Sequence, residues 1–227
     1  MNRARLRLRE KLDQGRIAGL YAVTPDLADT ALMLARTQAA LAGGARIVQY
    51  RNKSADAELR HEQASALREL CRRRSVPLII NDDVRLACAI DADGVHVGAD
   101  DAAVDAARAQ IGGEKMIGVS CYNDLQRARL AQTQGADYVA FGSFFASSVK
   151  PGAVHAPLAL LQQARQRIRL PLVAIGGITP DNASALIAAG ANAIAVIAAL
   201  FAAPDVEFAA RKFCRLFPVK ASHDLAQ

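Results

Sequence analysis

Tryptophan is absent from the 227 residues, and aromatic side chains make up only 5% of them. A chain so poor in flat rings is badly equipped to stack the bases of single-stranded nucleic acid or the face of a sugar, and its interior is expected to be aliphatic. The four cysteines, Cys71, Cys88, Cys121 and Cys214, are scattered, with no CxxC pair and no Cys/His cluster. Structural zinc and a disulfide framework are therefore not expected. No apolar stretch follows the arginines near the start, so there is no secretory signal to read and a reducing, cytoplasmic location is expected; Glu10 and Asp13 also speak against a transit peptide. The nearest approach to a membrane span, Ala185 to Ala203, lacks flanking Trp, Tyr or Lys anchors and is divided by Gly190. It reads as a helix feeding a buried strand, and no membrane partner is expected. At the first strand–helix junction, Val23-Thr24-Pro25-Asp26, the glycine-rich fingerprint of a dinucleotide fold is missing.

What is present is enough apolar material for a core: 52% hydrophobic residues against 22% charged. The formal charge of +6 draws in anionic ligands without naming one. Basic clusters at Arg3, Arg5, Arg7 and Arg9, and at Arg72, Arg73 and Arg74, are interrupted by Glu10, Asp13 and Glu69. They read as solvated helix faces, and nucleic acid is not expected as a partner.

Short apolar runs recur at Leu20–Val23, Ile47–Tyr50, Leu78–Ile80, Gly94–Val97, Met116–Val119, Tyr138–Phe141, Leu172–Ile175 and Ile194–Ile197. Between them lie segments of helical spacing such as Leu27–Leu41, Glu58–Arg74 and Leu158–Arg167. Punctuation agrees: Thr179-Pro180-Asp181 has the form of an N-cap followed by Pro, and Gly43-Gly44, Gly135 and Gly190 follow helical stretches. Continuous apolar strands alternating with helices imply a parallel sheet covered on both faces, and eight such units predict an α/β fold, a single (β/α)8 TIM barrel. One domain over 1–227 is expected, with a helical extension at 1–17 and a flexible tail at 218–227.

In such a barrel, polar residues at the C-terminal strand ends share one mouth. After Ile47-Val48 come Gln49-Tyr50-Arg51-Asn52-Lys53, and the period of two puts Gln49, Arg51 and Lys53 on one side. The third strand ends in Asn81-Asp82-Asp83, and the fourth leads to Asp100-Asp101. Carboxylates offered in ones and twos suit Mg²⁺, which keeps several waters and completes its shell with substrate phosphate. For Asp83 and Asp100, capping of the next helix is an equally good reading. His96 reads as a packed structural histidine. The fifth strand ends at Ser120, and the sixth opens into a long loop from Phe141 to Gly152 that carries Lys150. Gly176-Gly177 after strand seven and the backbone near Ile197-Ala198 after strand eight stand where barrels bind phosphate. The mouth thus offers two anion-binding regions, suited to one diphosphate and one monophosphate.

These motifs carry a resemblance that extends from about Gly19 to Phe217. Gln49 to Lys53, Asn81-Asp82, His96-Val97-Gly98 with Asp101, Gly118-Val119-Ser120, the Gly142–Lys150 loop and Ile175 to Ile178 together resemble the thiamine-phosphate synthase family. The resemblance implies a transferase that joins hydroxymethylpyrimidine diphosphate to thiazole phosphate, with Mg²⁺ as cofactor, these two small molecules as partners, and release of diphosphate by a dissociative route. It implies substrate contacts from Gln49, Tyr50, Arg51, Asn52, Lys53, Asn81 and Ser120. Ser147, Ser148, Val149, Lys150, Gly177, Ile197 and Ala198 are further substrate positions by the same likeness. Arg51, Lys53, Ser120 and Lys150 are the implied catalytic groups, and Asp82 and Asp101 the implied metal ligands. A homodimer is left open.

Three positions depart from the family pattern: Ala146 stands where Pro is usual, Val149 where a hydroxyl residue is usual, and Ala198 where Ser is common. Weakened thiazole-phosphate affinity is the expected consequence. Two other readings compete. A thiazole tautomerase-like isomerase resembles the synthase but uses a histidine where Tyr122 stands here, and a non-catalytic phosphate-ligand binder would show salt-dependent binding without turnover.

Overall fold

Residues 17–98, 104–146 and 155–218 are described by a computed structural model. Its eight parallel strands close on one another in chain order, as expected of a (β/α)8 barrel. They are β1 (Gly19–Val23), β2 (Ile47–Tyr50), β3 (Leu78–Asn81), β4 (Gly94–Val97), β5 (Met116–Tyr122), β6 (Tyr138–Phe141), β7 (Leu172–Ile175) and β8 (Ala193–Val196). Closure comes from β8 pairing with β1, with Tyr21 opposite Ala195. Around them run α1 (Thr30–Ala42), α2 (Ala57–Arg73), α3 (Val84–Ala89), α4 (Val104–Ile111), α5 (Leu125–Gln134), α6 (Leu158–Arg167), α7 (Pro180–Ala188), the short α8 (Ala198–Phe201) and α9 (Val206–Cys214). Apart from Ile17 and Pro218, the expected extension and tail lie outside the described residues.

Aspartates start the helices. Asp29, Asp56, Asp83, Asp124 and Asp205 each accept a backbone N–H of the following first turn, an arrangement in which each cap contributes about 1 kcal/mol. The cap at Asp29 moves the start of α1 from the expected Leu27 to Thr30, because its carboxylate takes the Leu32 N–H at 2.9 Å. Asp83 likewise caps α3 through Leu86 N at 2.9 Å, so of its two readings the capping one is observed. Asp100 lies outside the described residues.

The opposite, N-terminal rim is tied by a repeated device. Asp93, Asp137 and Asn192, each just before an even-numbered strand, accept a backbone N–H from the first two residues of the preceding odd strand: Leu78, Ile117 and Leu172, at 2.9, 2.7 and 2.9 Å. Those amides would otherwise end the ladder unpaired. Asp137 is nearly inaccessible and also pairs with Arg108 at 2.6 Å. Burial, outweighing the guanidinium, pushes its carboxyl above the ordinary range.

Most of the apolar core lies between barrel and helices, as in the buried run from β1 through Leu20 and Ala22 to α9 Phe213. The barrel interior departs from the aliphatic expectation. Tyr21 and Tyr138 are fully buried inside it beside Ile47, Ile79 and Val173. Gly118 explains how: a Cβ there would come within 2.0 Å of the Tyr138 ring, so the absent side chain makes the space the ring fills. The run Ala185–Ala203 resolves into the end of α7, β8 and α8. Among the described residues no helix is long and apolar enough to cross a membrane.

Candidate active site at the barrel mouth

β2 is extended through Arg51 and Lys53 by bonds from the loop after β1. Thr24 N donates to Gln49 O at 2.9 Å, and the Thr24 hydroxyl accepts from Arg51 N at 2.9 Å. One oxygen of Asp26 accepts both the Arg51 guanidinium and Lys53 N, each at 2.9 Å. The period-two reading of Gln49, Arg51 and Lys53 corresponds to separate depths. Gln49 is buried inside the barrel, Arg51 is mostly covered at the rim and Lys53 is exposed.

Tyr50 and Asn52 take the alternate positions, and their polar atoms serve the fold. Tyr50 Oη donates to Gln63 Oε1 at 3.0 Å, and Asn52 Nδ2 donates to Leu27 O at 2.8 Å and to Gln63 Oε1 at 3.0 Å. Asn52 Oδ1 accepts from Ser54 N and Ala55 N, turning the chain into α2. Both residues hold the loop in shape and both also line the cleft at this end of the barrel, and burial raises the Tyr50 hydroxyl to about 12.

A cleft of about 580 Å³ opens where β2 and β3 end, and Arg51, Lys53, Asn81 and Asp82 line it together. Asp82 has φ +62°, an uncommon conformation for a residue other than glycine. Lys53 Nζ lies 3.9 Å from Asp82 Oδ2, with the lysine well exposed. An exposed pair of this kind contributes about 0–1 kcal/mol, little enough that a metal ion or phosphate can readily replace either partner. The outer wall carries Arg60, Arg85 and Gln110, none of which sequence spacing had marked, because they sit on helices rather than at strand ends.

Across the mouth, Ser120 stands on β5 where the register to β6 shifts between Ser120 and Tyr122, carrying that strand beyond the expected Val119. From Gln49 to Ser120 a chain of hydrogen bonds crosses the barrel interior. Gln49 Nε2 donates to Tyr21 Oη at 2.9 Å, Tyr21 Oη lies 2.8 Å from Tyr138 Oη, Tyr138 Oη 3.0 Å from His96 Nδ1, and His96 Nε2 2.9 Å from Ser120 Oγ. A buried hydroxyl without a partner loses about 1–3 kcal/mol, which is why these polar groups occur linked. Burial raises the hydroxyls of Tyr21 and Tyr138 well above their ordinary value, so both remain protonated. His96 is packed, as expected, yet touches a candidate site residue. The two tyrosines were legible in principle as inward-facing polar positions within apolar runs.

On the far side, the loops after β6 and β7 are zipped together: Phe144 N donates to Ile175 O at 3.2 Å and Phe145 N to Gly176 O at 3.0 Å. Gly177 has φ +62°, and a Cβ there would meet Ala146 O at 2.2 Å, so only glycine fits. Asn182 holds this turn, donating to Gly177 O at 3.1 Å and accepting from Thr179 N at 2.9 Å. β8 ends at Val196, one residue before the expected Ile197, which instead caps α8. Ala198 is exposed at the start of that helix, where first-turn N–H groups have no intrahelical acceptor. Asp101, Ser147, Ser148, Val149 and Lys150 lie outside the described residues.

Comparison with known proteins agrees with this arrangement. The family model described as thiamine monophosphate synthase matches residues 20–200. A thiamine-phosphate synthase of Methylobacillus flagellatus is 57% identical over 201 residues, covering 88% of this chain and 96% of the relative. That of Thiobacillus denitrificans is 57% identical over 199 residues, covering 88% and 94%. The solved thiamine phosphate pyrophosphorylase of Pyrococcus furiosus superposes with a TM-score of 0.80 at 34% identity, covering 89% of this chain and 96% of its own. The chain belongs to the thiamine-phosphate synthase family.

Proposed function

We propose that the protein condenses 4-amino-2-methyl-5-(diphosphooxymethyl)pyrimidine with thiazole phosphate, giving thiamine phosphate and diphosphate, as a transferase of thiamine biosynthesis in the cytoplasm. The observation that carries this reading is the single cleft lined by Arg51, Lys53, Asn81 and Asp82 beside the barrel mouth. Family membership supports the transferase class, and the polar groups supply its chemistry.

Arg51 and Lys53 hold the diphosphate of the pyrimidine substrate, joined by Lys150. The carbon–oxygen bond to diphosphate breaks first, with the bonding electron pair leaving on oxygen. The electron-rich aminopyrimidine carries the resulting positive charge on its methylene carbon, and the thiazole nitrogen then forms the new carbon–nitrogen bond. The cations neutralise charge that grows on the leaving group, an electrostatic form of catalysis that needs no side-chain nucleophile. Gln49 and Ser120, at the two ends of the buried hydrogen-bond chain, orient the pyrimidine from below. Gly177, Ile197 and Ala198, with Ser147, Ser148 and Val149, receive the phosphate of the thiazole, largely through backbone N–H groups.

The donor set suits a magnesium ion. Asp82 is a hard carboxylate at the cleft, weakly paired with an exposed lysine, and no group of three His, Cys, Asp or Glu suited to a metal occurs among the described residues. Few protein ligands plus phosphate oxygens is the usual arrangement for Mg²⁺. Asp82 and Asp101 would hold the ion, which would supply additional positive charge to the departing diphosphate.

The test is diphosphate release by purified protein given both substrates and Mg²⁺. Release is expected only with both substrates present; turnover without the thiazole phosphate, or none with the complete mixture, rejects the proposal.

A further inference from the structure

The acidic residue in the loop after β1 has no part in the chemistry described above, yet it sits against the cationic side of the cleft. Asp26 Oδ1 accepts from Arg51 Nη1 and from Lys53 N, each at 2.9 Å. A guanidinium has five N–H donors, so one bond to Asp26 leaves the others for phosphate oxygens. The same carboxylate fixes the backbone of Lys53, and the neighbouring Thr24 hydroxyl fixes that of Arg51 at 2.9 Å. Arg51 carries only 18% side-chain exposure, against 37% for Asp26. The guanidinium is therefore held on one edge by a carboxylate that reaches it from the loop after a different strand.

The geometry points to Asp26 as a positioning residue: it aims Arg51, and the Lys53 backbone with it, at the diphosphate leaving group. The inference rests on the transferase reading of the cleft. A cation already in place needs no reorganisation while charge moves onto the departing oxygen, so its stabilisation is realised chiefly in the transition state. Loss of the orienting carboxylate should accordingly reduce kcat more than it raises KM for the pyrimidine diphosphate. The effect should shrink when there is no guanidinium to aim, leaving only the part that acts through the Lys53 backbone.

Wild type, Asp26→Ala, Asp26→Asn, Arg51→Ala and the double variant Asp26→Ala/Arg51→Ala are compared in the diphosphate-release assay, with circular dichroism confirming the fold. Asp26→Ala is expected to lower kcat about tenfold with KM changed less than threefold, equivalent to about 1.4 kcal/mol of transition-state stabilisation. Asp26→Asn, which retains a carbonyl oxygen able to accept both bonds, should recover to within about threefold of wild type. Relative to Arg51→Ala, the double variant should lose clearly less than the tenfold that Asp26→Ala loses relative to wild type, the remainder reporting the bond to Lys53 N. Asp26→Ala within twofold of wild type, an unrescued Asn variant, or a full tenfold further loss in the double variant overturns the positioning role. An inactive wild type rejects the transferase reading itself, before any variant is compared.

Discussion

Tyr21 and Tyr138, 117 residues apart in the chain, meet hydroxyl to hydroxyl at 2.8 Å in the middle of the barrel. Their rings approach edge to face, with centroids 6.1 Å apart. Gln49 Nε2 donates to Tyr21 Oη, and contacts of 2.8, 3.0 and 2.9 Å carry the chain on through Tyr138 Oη and the two ring nitrogens of His96 to Ser120 Oγ. The amide of Gln49 on β2 and the hydroxyl of Ser120 on β5 are thereby linked across the barrel.

Removing one member leaves its neighbours unsatisfied. Tyr138→Phe is expected to lower stability by about 1–3 kcal/mol, read as a lower urea midpoint with an unchanged slope. Combined with Tyr21→Phe, the loss should fall short of the sum, because the two changes remove one shared bond. Full additivity would show that the hydroxyls act independently.

The Lys53–Asp82 pair contributes little to the fold, but alanine is strained at the φ of +62° that Asp82 adopts, so Asp82→Ala should cost about 1 kcal/mol of urea stability and leave the barrel folded. The same change should abolish Mg²⁺-dependent diphosphate release, as should chelation of the metal from the unaltered protein. Unchanged turnover in the variant would remove Asp82 from the metal site.

Asp137 makes a pH-dependent contribution whose sign follows from its burial. Its carboxyl is raised above the ordinary 3.8, so the folded protein holds this proton more tightly than the unfolded chain does. The stabilisation is complete below the unfolded value and is lost as pH rises through the folded one. The stability of wild type relative to Asp137→Asn should therefore decline as pH increases from about 4. A difference that grows with pH would mean that the Arg108 guanidinium outweighs burial.

Gly177→Ala places a methyl group against Ala146 O and the Phe145 backbone. The loop must move, and KM for thiazole phosphate is expected to rise about tenfold or more, a loss of about 1.4 kcal/mol. KM for the pyrimidine diphosphate should change much less. Equal changes in both constants would separate this turn from the thiazole-phosphate site.

Ala198→Ser restores the family's hydroxyl at the start of α8. One added hydrogen bond to phosphate is worth about 0.5–1.5 kcal/mol, so KM for thiazole phosphate should fall by roughly twofold to tenfold. An unchanged constant would mean that the backbone donors already satisfy the anion.

The runs of β2, β4, β6 and β7 were legible residue for residue, because a strand buried on both faces is mainly apolar, with Gln49 and His96 as single polar interruptions that point into the barrel interior. Boundaries moved where a side chain intervened, as Asp29 did for α1, or where the register shifted, as it did between Ser120 and Tyr122 on β5. Arg51, Lys53, Asn81 and Asp82 could be placed at the cleft because strand ends in a barrel all face the same way. Tyr50 and Asn52 were harder to sort: both belong to the same motif, and only their bonds to Gln63 on α2 show that their polar atoms turn to the fold.

Local pattern alone determined the strand and helix alternation, the barrel it implies and the family motifs, since hydrophobic period, caps and residue order are properties of adjacent residues. Tertiary structure decided which polar groups meet. Gly118 had to be empty for Tyr138 to enter, Tyr138 had to enter to meet His96 where it reaches Ser120, and Asp26 had to come from the loop after another strand to hold Arg51. Those relations depend on the closure of eight strands around a common axis, a distance of tens of residues that no local spacing records.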